Sequence, residues 1–449
     1  MRRFTVLWAG QLVSLVGSGL TRVALGIWIY QKTGSVATFA LLLVASSLPT
    51  VLLSPLAGAL IDRWEKRNAL AFSDAVAALG PIVLVIVILA RGTTPNIIVV
   101  ALTVALSAAG SAFQEPALGA LVPRLVPSGQ LNRVNGMVQL MQAIGQVASP
   151  AMAGVLLVHV GLTAVLAIDI ATFAVSLLTL WVIGATHIGT ETSGKANVFG
   201  TVVGDIVSGW SYVRSQPSLV GLLALLTTVN LFTAMGHAIF TPYVLLVADP
   251  QLLGGVLAAG GIGMVVGSIA VATWRGPKRR VDGIIAAIVI IGLAMVLTGL
   301  RPSVALIAAS SFAMYFAVPI AMGYDMVIWQ TLCRADMQGR AFATRNMVIT
   351  AAGPAAFALA SLLAGSSALT SLSGSPDTRV SVAAAAEIKT LGAWMIVLGV
   401  VVVVVGLAAR LSRSIRAADG ALSAAGASAP SDLVQAAVDA SLPSPGSET

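Results

Sequence analysis

Two sets of polar residues recur at the same intervals in stretches that are otherwise apolar. Gln11, Ser14, Ser18 and Arg22 follow one another at spacings of 3, 4 and 4, and so do Asn230, Thr233, His237 and Thr241. At about 100° per residue each set occupies one narrow face of a helix. Side chains of these types bind by hydrogen bonding, and a charge in a bilayer is costly enough that it normally faces a cavity or a partner. Both stripes are therefore expected to line a water-filled cavity between helices 1 and 7. Ser and Thr alone would also fit helix packing; Gln, Arg, Asn and His on matching faces fit it poorly. Asp169 adds a carboxylate at the same depth as Arg22, each about seven residues from the same end of its helix. Two readings stand: the pair neutralises itself permanently, or Asp169 exchanges its proton for substrate. His237 is a second candidate for proton coupling, since imidazole is the side chain that ordinarily changes charge near neutral pH, against a simpler role as a hydrogen-bonding wall residue.

The elements that position these residues follow from composition. Of 449 residues, 57% are hydrophobic and 9% charged, far below the quarter or so of charged residues in soluble domains. A water-soluble globule is excluded. Apolar runs long enough to cross a bilayer predict twelve helices near 5–30, 37–61, 68–90, 96–121, 134–158, 162–184, 219–246, 252–274, 282–300, 303–328, 344–367 and 390–409. Turn-formers such as Lys32-Thr33-Gly34-Ser35 and Ala248-Asp249-Pro250 separate them. Most of the 25 Lys and Arg residues fall in alternate loops, which places those loops and both termini in the cytoplasm. The net charge of +8 is thus an orientation signal and predicts no nucleic-acid partner. Met1-Arg2-Arg3 begins a retained first helix, since no A-x-A-like cleavage site follows. The single cysteine, Cys333, excludes a disulfide framework and a multi-cysteine metal site.

The organisation is read as a six-helix bundle over 1–184, a cytoplasmic linker with an amphipathic helix over 185–218, a second six-helix bundle over 219–410 and a disordered cytoplasmic tail over 411–449. The linker carries Val203, Ile206, Val207 and Trp210 beside Asp205 and Arg214; the tail is rich in Ala, Ser, Gly and Pro. The halves echo each other again in Glu115 with Arg124 and Asp325 with Arg334, nine apart in both. Helices 4 and 10 are expected to complete the cavity, with Ser107, Ser111 and Gln114 on one face and the adaptable Met314, Tyr315 and Met322 on the other. Asp74 is expected to be solvated near the inner surface. No catalytic constellation, phosphate loop or histidine-rich metal cluster is visible, so neither an enzyme nor an ATP-driven pump is expected, and no cofactor or metal.

Residues 58 to 70, GALIDRWEKRNAL, resemble the loop signature of the major facilitator superfamily, G-x-L-x-D-R-x-G-R-K/R. Gly58, Asp62, Arg63, Lys66 and Arg67 take matching places, and Glu65 stands where the family has glycine. Segments such as PRLVPSGQLNRVNG and IWQTLCRADMQGRAFATRNM are similar to bacterial exporters of the enterobactin-exporter and macrolide-efflux type. In helix 5, Gly145, Ser149, Pro150 and Gly154 resemble the antiporter motif, with Ser149 replacing a glycine. The resemblance implies an all-α fold of two pseudo-symmetric six-helix bundles and a functional monomer embedded among the lipids of a bacterial inner membrane. It also implies gating by the loop, where Glu115 pairs with a loop arginine and Asp325 is its counterpart beside Arg275 to Arg280. The expected function is efflux of a lipophilic or amphipathic small molecule (a drug, macrolide or siderophore-like compound) by alternating access, driven by a proton gradient. An uncoupled facilitator, an uptake carrier and a non-transporting scaffold are the alternatives.

Overall fold

The structure, a computed structural model, describes residues 2–91, 95–126, 130–184, 198–273, 279–334, 337–367 and 376–418. Its elements are α1 (Arg2–Thr33), α2 (Val36–Arg63), α3 (Lys66–Arg91), α4 (Ile97–Ser111), α5 (Gln114–Leu125), α6 (Leu131–Ile183), α7 (Val198–Arg214), α8 (Pro217–Val247), α9 (Pro250–Thr273), α10 (Arg280–Leu300), α11 (Val304–Leu332), α12 (Gln338–Ser367) and α13 (Pro376–Ala409). No strand occurs among the described residues. A helix stands at each of the twelve expected segments, with two changes of shape; among the described residues ten helices are long and apolar enough to cross a membrane, the merged α6 counting as one. The fourth is broken into α4 and α5 at Ala112 and Phe113, because the ring of Pro116 cannot continue a helix through the carbonyl four residues earlier. The fifth and sixth run together as α6 and turn at Gly161, whose φ of 77° and ψ of 172° are open to glycine alone.

Crossings one to six form one bundle and α8–α13 the other, joined by α7. Gly209 of α7 lies against Arg340 and Thr344 of α12, and the Arg334 backbone N–H donates to the Tyr212 hydroxyl at 2.9 Å. Val207 and Trp210 remain exposed on the other side of α7, as an amphipathic interfacial helix requires. The tail expected to be disordered over 411–449 is described only in its first residues. Residues 413–418 are helical, Ile415 and Ala418 are buried, and Ser414 sits over Gly221 of α8; residues 419–449 lie outside the described residues, as do His187, Lys195, Arg275 and Lys278.

The end of the molecule bearing Arg2, Lys66, Arg67 and α7 is its basic end. At the opposite end the two bundles touch. Ser361 of α12 donates to the Ala37 carbonyl of α2 at 3.2 Å, and Ala40, Ala238 and Ala360 form one buried cluster. Gly154 of α6 is pressed against the Pro250 carbonyl, and Gly254 of α9 against the Pro150 carbonyl. Lacking side chains, these glycines let the two helix axes approach, and such packing is the main attraction available between helices in lipid. Along the face of α1 that carries Ala9, Val13, Leu20, Ala24 and Ile27, the first two are exposed and the last three are wholly buried. The same gradient runs along α8 from exposed Val220 and Ala224 to Ala238, which is wholly buried. A cleft between the bundles therefore opens towards the basic end and is sealed at the other.

Cys333, which caps the end of α11, is buried, and burial pushes its thiol up to about 11, so little thiolate is present at neutral pH. Introduced cysteines are thus expected to label with maleimide over a low background that rises only as the pH approaches that value. In the variant Ala40→Cys labelling should be slow, and adding Gly154→Val should speed it several-fold by wedging the sealed end open. Equal labelling with and without the valine would show that the glycine contact does not hold this end shut.

Candidate functional site

The polar stripe of α1 does not face the cleft. At 100° per residue, Gln11, Ser14, Ser18 and Arg22 lie on the side roughly opposite Val13 and Leu20, inside the first bundle. Ser14 is buried there. Gln11 Nε2 donates to Asp74 Oδ2 at 3.0 Å and to Ser176 Oγ at 2.7 Å. Ser176 Oγ passes the chain on, donating to Asp74 Oδ2 at 2.6 Å, while Gln114 Nε2 donates to Asp74 Oδ1 at 2.8 Å. Asp74 is thus wholly buried and binds α1, α5 and the second limb of α6 to α3. The expectation of a solvated Asp74 was wrong because depth along α3 says nothing about which helices enclose that depth. The sequence signal that would have found it is the pair of amides, Gln11 and Gln114, on helices beside α3.

One turn or two further along α1, Ser18, Arg22, Ser107, Ser111 and Asp169 line a cavity of about 110 Å³ within the same bundle. Ser18 Oγ donates to Asp169 Oδ1 at 3.2 Å, and Ser107 Oγ to the Ala77 carbonyl at 2.8 Å. Asp169 is only 2% exposed, whereas Arg22 is accessible on the cavity wall. The two are electrostatic neighbours without a direct ion-pair contact, so the expected depth match is present.

The second stripe behaves likewise, turned about 90° from the exposed face of α8. Asn230 Nδ2 donates to the Ile349 carbonyl of α12 at 2.7 Å, and Thr233 Oγ1 to its own helix at Val229. His237 and the Tyr315 hydroxyl are hydrogen-bonded; with Thr233, Met314, Ser310 and Ser311 they line a cavity of about 20 Å³ inside the second bundle. Thr241 is half-buried, and Met322 is exposed. The two stripes thus contribute to one cavity in each bundle, with Arg22 and His237 both exposed.

Of the loop signature, Gly58, Asp62 and Arg63 are helical in backbone, and their side chains lie outside the described residues. Lys66 Nζ donates to the Ile61 carbonyl, closing the end of α2, and Arg67 Nε donates to the Leu180 carbonyl at 2.9 Å, tying α3 to the end of α6. Glu115 is exposed in the first turn of α5. Asp325 forms a buried salt bridge with Arg345 of α12, with the guanidinium 5.8 Å from the Trp329 ring centroid; residues 274–278 of the α9–α10 loop, its expected neighbours, lie outside the described residues. Ser149 Oγ donates to the Val16 carbonyl at 3.1 Å and Gly145 packs on Leu15, so the antiporter-like segment clamps α6 to α1 on one side and, through Pro150 and Gly154, to α9 on the other. Asp325→Ala leaves Arg345 charged and alone, so a loss of about 3–5 kcal/mol is expected. The double variant Asp325→Leu with Arg345→Met should recover most of the lost melting temperature in detergent; equal melting of all three proteins would show that the bridge contributes nothing.

Comparison with known proteins agrees with this architecture. The sequence profile of the Major Facilitator Superfamily matches residues 7–358. The chain is 25% identical over 367 residues to Macrolide efflux protein A of Streptococcus pyogenes, covering 81% of this chain and 89% of that protein. It is 26% identical over 375 residues to Multidrug efflux pump Tap of Mycolicibacterium fortuitum, covering 82% and 89%. Among solved structures, a bacterial homologue of the iron transporter ferroportin in an inward-facing state superposes with a TM-score of 0.68 at 16% identity, over 91% of this chain and 98% of that one. The nucleoside transporter NupG superposes with a TM-score of 0.70 at 11% identity, over 91% and 99%. With two six-helix bundles about a cleft open at one end, and a profile match across most of its length, this chain belongs to the major facilitator superfamily of multi-pass membrane transporters.

Proposed function

We propose that the protein exports lipophilic or amphipathic small molecules across a bacterial inner membrane by alternating access, in exchange for protons. The observation that carries this reading is the cleft, sealed at one end by the Gly154–Pro250 and Ser361–Ala37 contacts and open at the basic end. With the basic end and both termini in the cytoplasm, this is the state that takes up cargo from inside. The relatives named for macrolide and multidrug efflux support the direction and the breadth of cargo. Each chain acts as a monomer within the lipid, since both bundles needed to enclose the cleft come from one chain.

Proton exchange falls to Asp169. It is buried beside a cavity, accepts from Ser18, and has Arg22 near it without the direct contact that would hold the pair permanently neutral. His237, bonded to Tyr315, serves as a hydrogen-bonding wall residue. The test is proton flux in liposomes holding the purified protein under a pH gradient, with a macrolide or a lipophilic dye added. Wild type should move protons on addition of cargo, and Asp169→Asn should fold with an unchanged melting temperature and move none. Saturable cargo movement with no gradient and no proton flux would replace exchange by facilitated diffusion. A collapse in the melting temperature of Asp169→Asn would make Asp169 a structural group.

A further inference from the structure

If the two polar stripes turn away from the cleft, something else on its walls must recognise cargo. Two pairs of exposed polar residues stand in equivalent places in the two bundles. Gln142 and Gln146 lie eight and four residues before Pro150 of α6; Asn346 and Thr350 lie eight and four residues before Pro354 of α12. All four are exposed. The contacts of each helix fix where these residues point. On α6, Gly145 and Ser149 meet α1, and Val147, Pro150 and Gly154 meet α9. Gln142 and Gln146 fall between those two faces, and the opposite side carries exposed Leu140, Met152, Val155 and Val158, the surface suited to lipid. On α12, Ile349 meets α8 and Ser361 meets α2. Asn346 and Thr350 again fall between, Thr350 within about 20° of Ser361 at 100° per residue, and exposed Leu359 and Leu362 mark the lipid side. Both pairs therefore point into the open part of the cleft from its two flanks.

From this placement we infer that Gln142, Gln146, Asn346 and Thr350 form a binding site for uncharged amphipathic molecules rich in hydrogen-bonding groups such as carbonyls, hydroxyls and amides. An amide side chain both donates and accepts without net charge, so it pairs with either kind of group and selects against neither. Among the described residues the side chains of Gln142, Gln146 and Thr350 have no hydrogen-bond partner. The Asn346 carbonyl is held by Arg345 Nη1 at 2.7 Å, which leaves its NH₂ to donate into the cleft. Arg345 is itself bound to Asp325, so that charge is spent within the bundle. The apolar body of such a cargo rests on Val13 of α1 and on Met322 and Met326 of α11, all exposed. These methionines lie on α11 between Phe312 and Phe316, whose carbonyls meet α9, and Asp325, which meets α12. Thioethers are polarisable and adapt to varied shapes.

This inference rests on the export reading for its direction and not for its site, and the test separates the two. Binding of labelled chloramphenicol, a neutral amide diol, and of tetraphenylphosphonium, a cation without hydrogen-bonding groups, is measured on the full-length protein in nanodiscs, and transport of both in liposomes. Wild type should bind chloramphenicol. The variants Gln142→Leu with Gln146→Leu, and Asn346→Leu with Thr350→Val, should each weaken that binding roughly tenfold or more, the loss expected for one or two neutral hydrogen bonds, and leave tetraphenylphosphonium binding within twofold and the melting temperature unchanged. Equal weakening of both probes, or no binding of chloramphenicol by wild type, would overturn the site. Selective loss of chloramphenicol binding with no transport of either probe by wild type would support the site and overturn export.

Discussion

The structure depends on one constraint: inside hydrocarbon there is no water to satisfy a polar group, so each must be satisfied by protein or by a wetted cavity. For three of its buried or half-buried polar groups the chain meets that constraint within one bundle. Asp74 gathers donors from α1, α5 and α6; Asp325 takes Arg345 from the neighbouring helix; Asn230 reaches the Ile349 carbonyl. Each interaction joins helices of the same half, so polar bonding makes each half a rigid unit. The boundary between the halves is left to glycine, alanine and proline, with one hydroxyl hydrogen bond, Ser361 to the Ala37 carbonyl.

That division suits a transporter. A joint made of small residues meeting backbone carbonyls, as at Gly154 with Pro250 and Gly254 with Pro150, carries no buried charge. Opening it loses dispersion contacts and strands few polar groups, so the two ends of the cleft can exchange places at modest cost. Had the stripe of α1 bonded across to α8, each cycle would have exposed Asp74 and its donors. The break between α4 and α5 sits beside the same cluster, with Gln114 in the first turn of α5 held by Asp74, so the rigid unit includes the irregular part of the fourth crossing.

Helix number, bundle halves and the family were legible from apolar runs, basic loops and residues 58 to 70. The depth match of Arg22 and Asp169 was legible too, since helical rise is constant. The direction each stripe faces was not. Gln11, Ser14, Ser18 and Arg22 on one face required a polar environment, and a cleft or a bundle interior satisfies that requirement equally. Asp74 was misread for the same reason, and the pairing of Asp325 with Arg345, twenty residues on in the next helix, was not legible at all.

Amino-acid order by itself determined which segments cross the bilayer and which residues share a helix face, because these depend on local hydropathy and on the fixed period of the helix. Only the tertiary structure decided which face meets which neighbour. That choice placed Asp74, Asp169 and Asp325 inside the bundles, left Gln142, Gln146, Asn346 and Thr350 on the cleft, and closed one end of it. The rotation of a helix about its axis is set by packing against all its neighbours at once, and no window along the chain contains them.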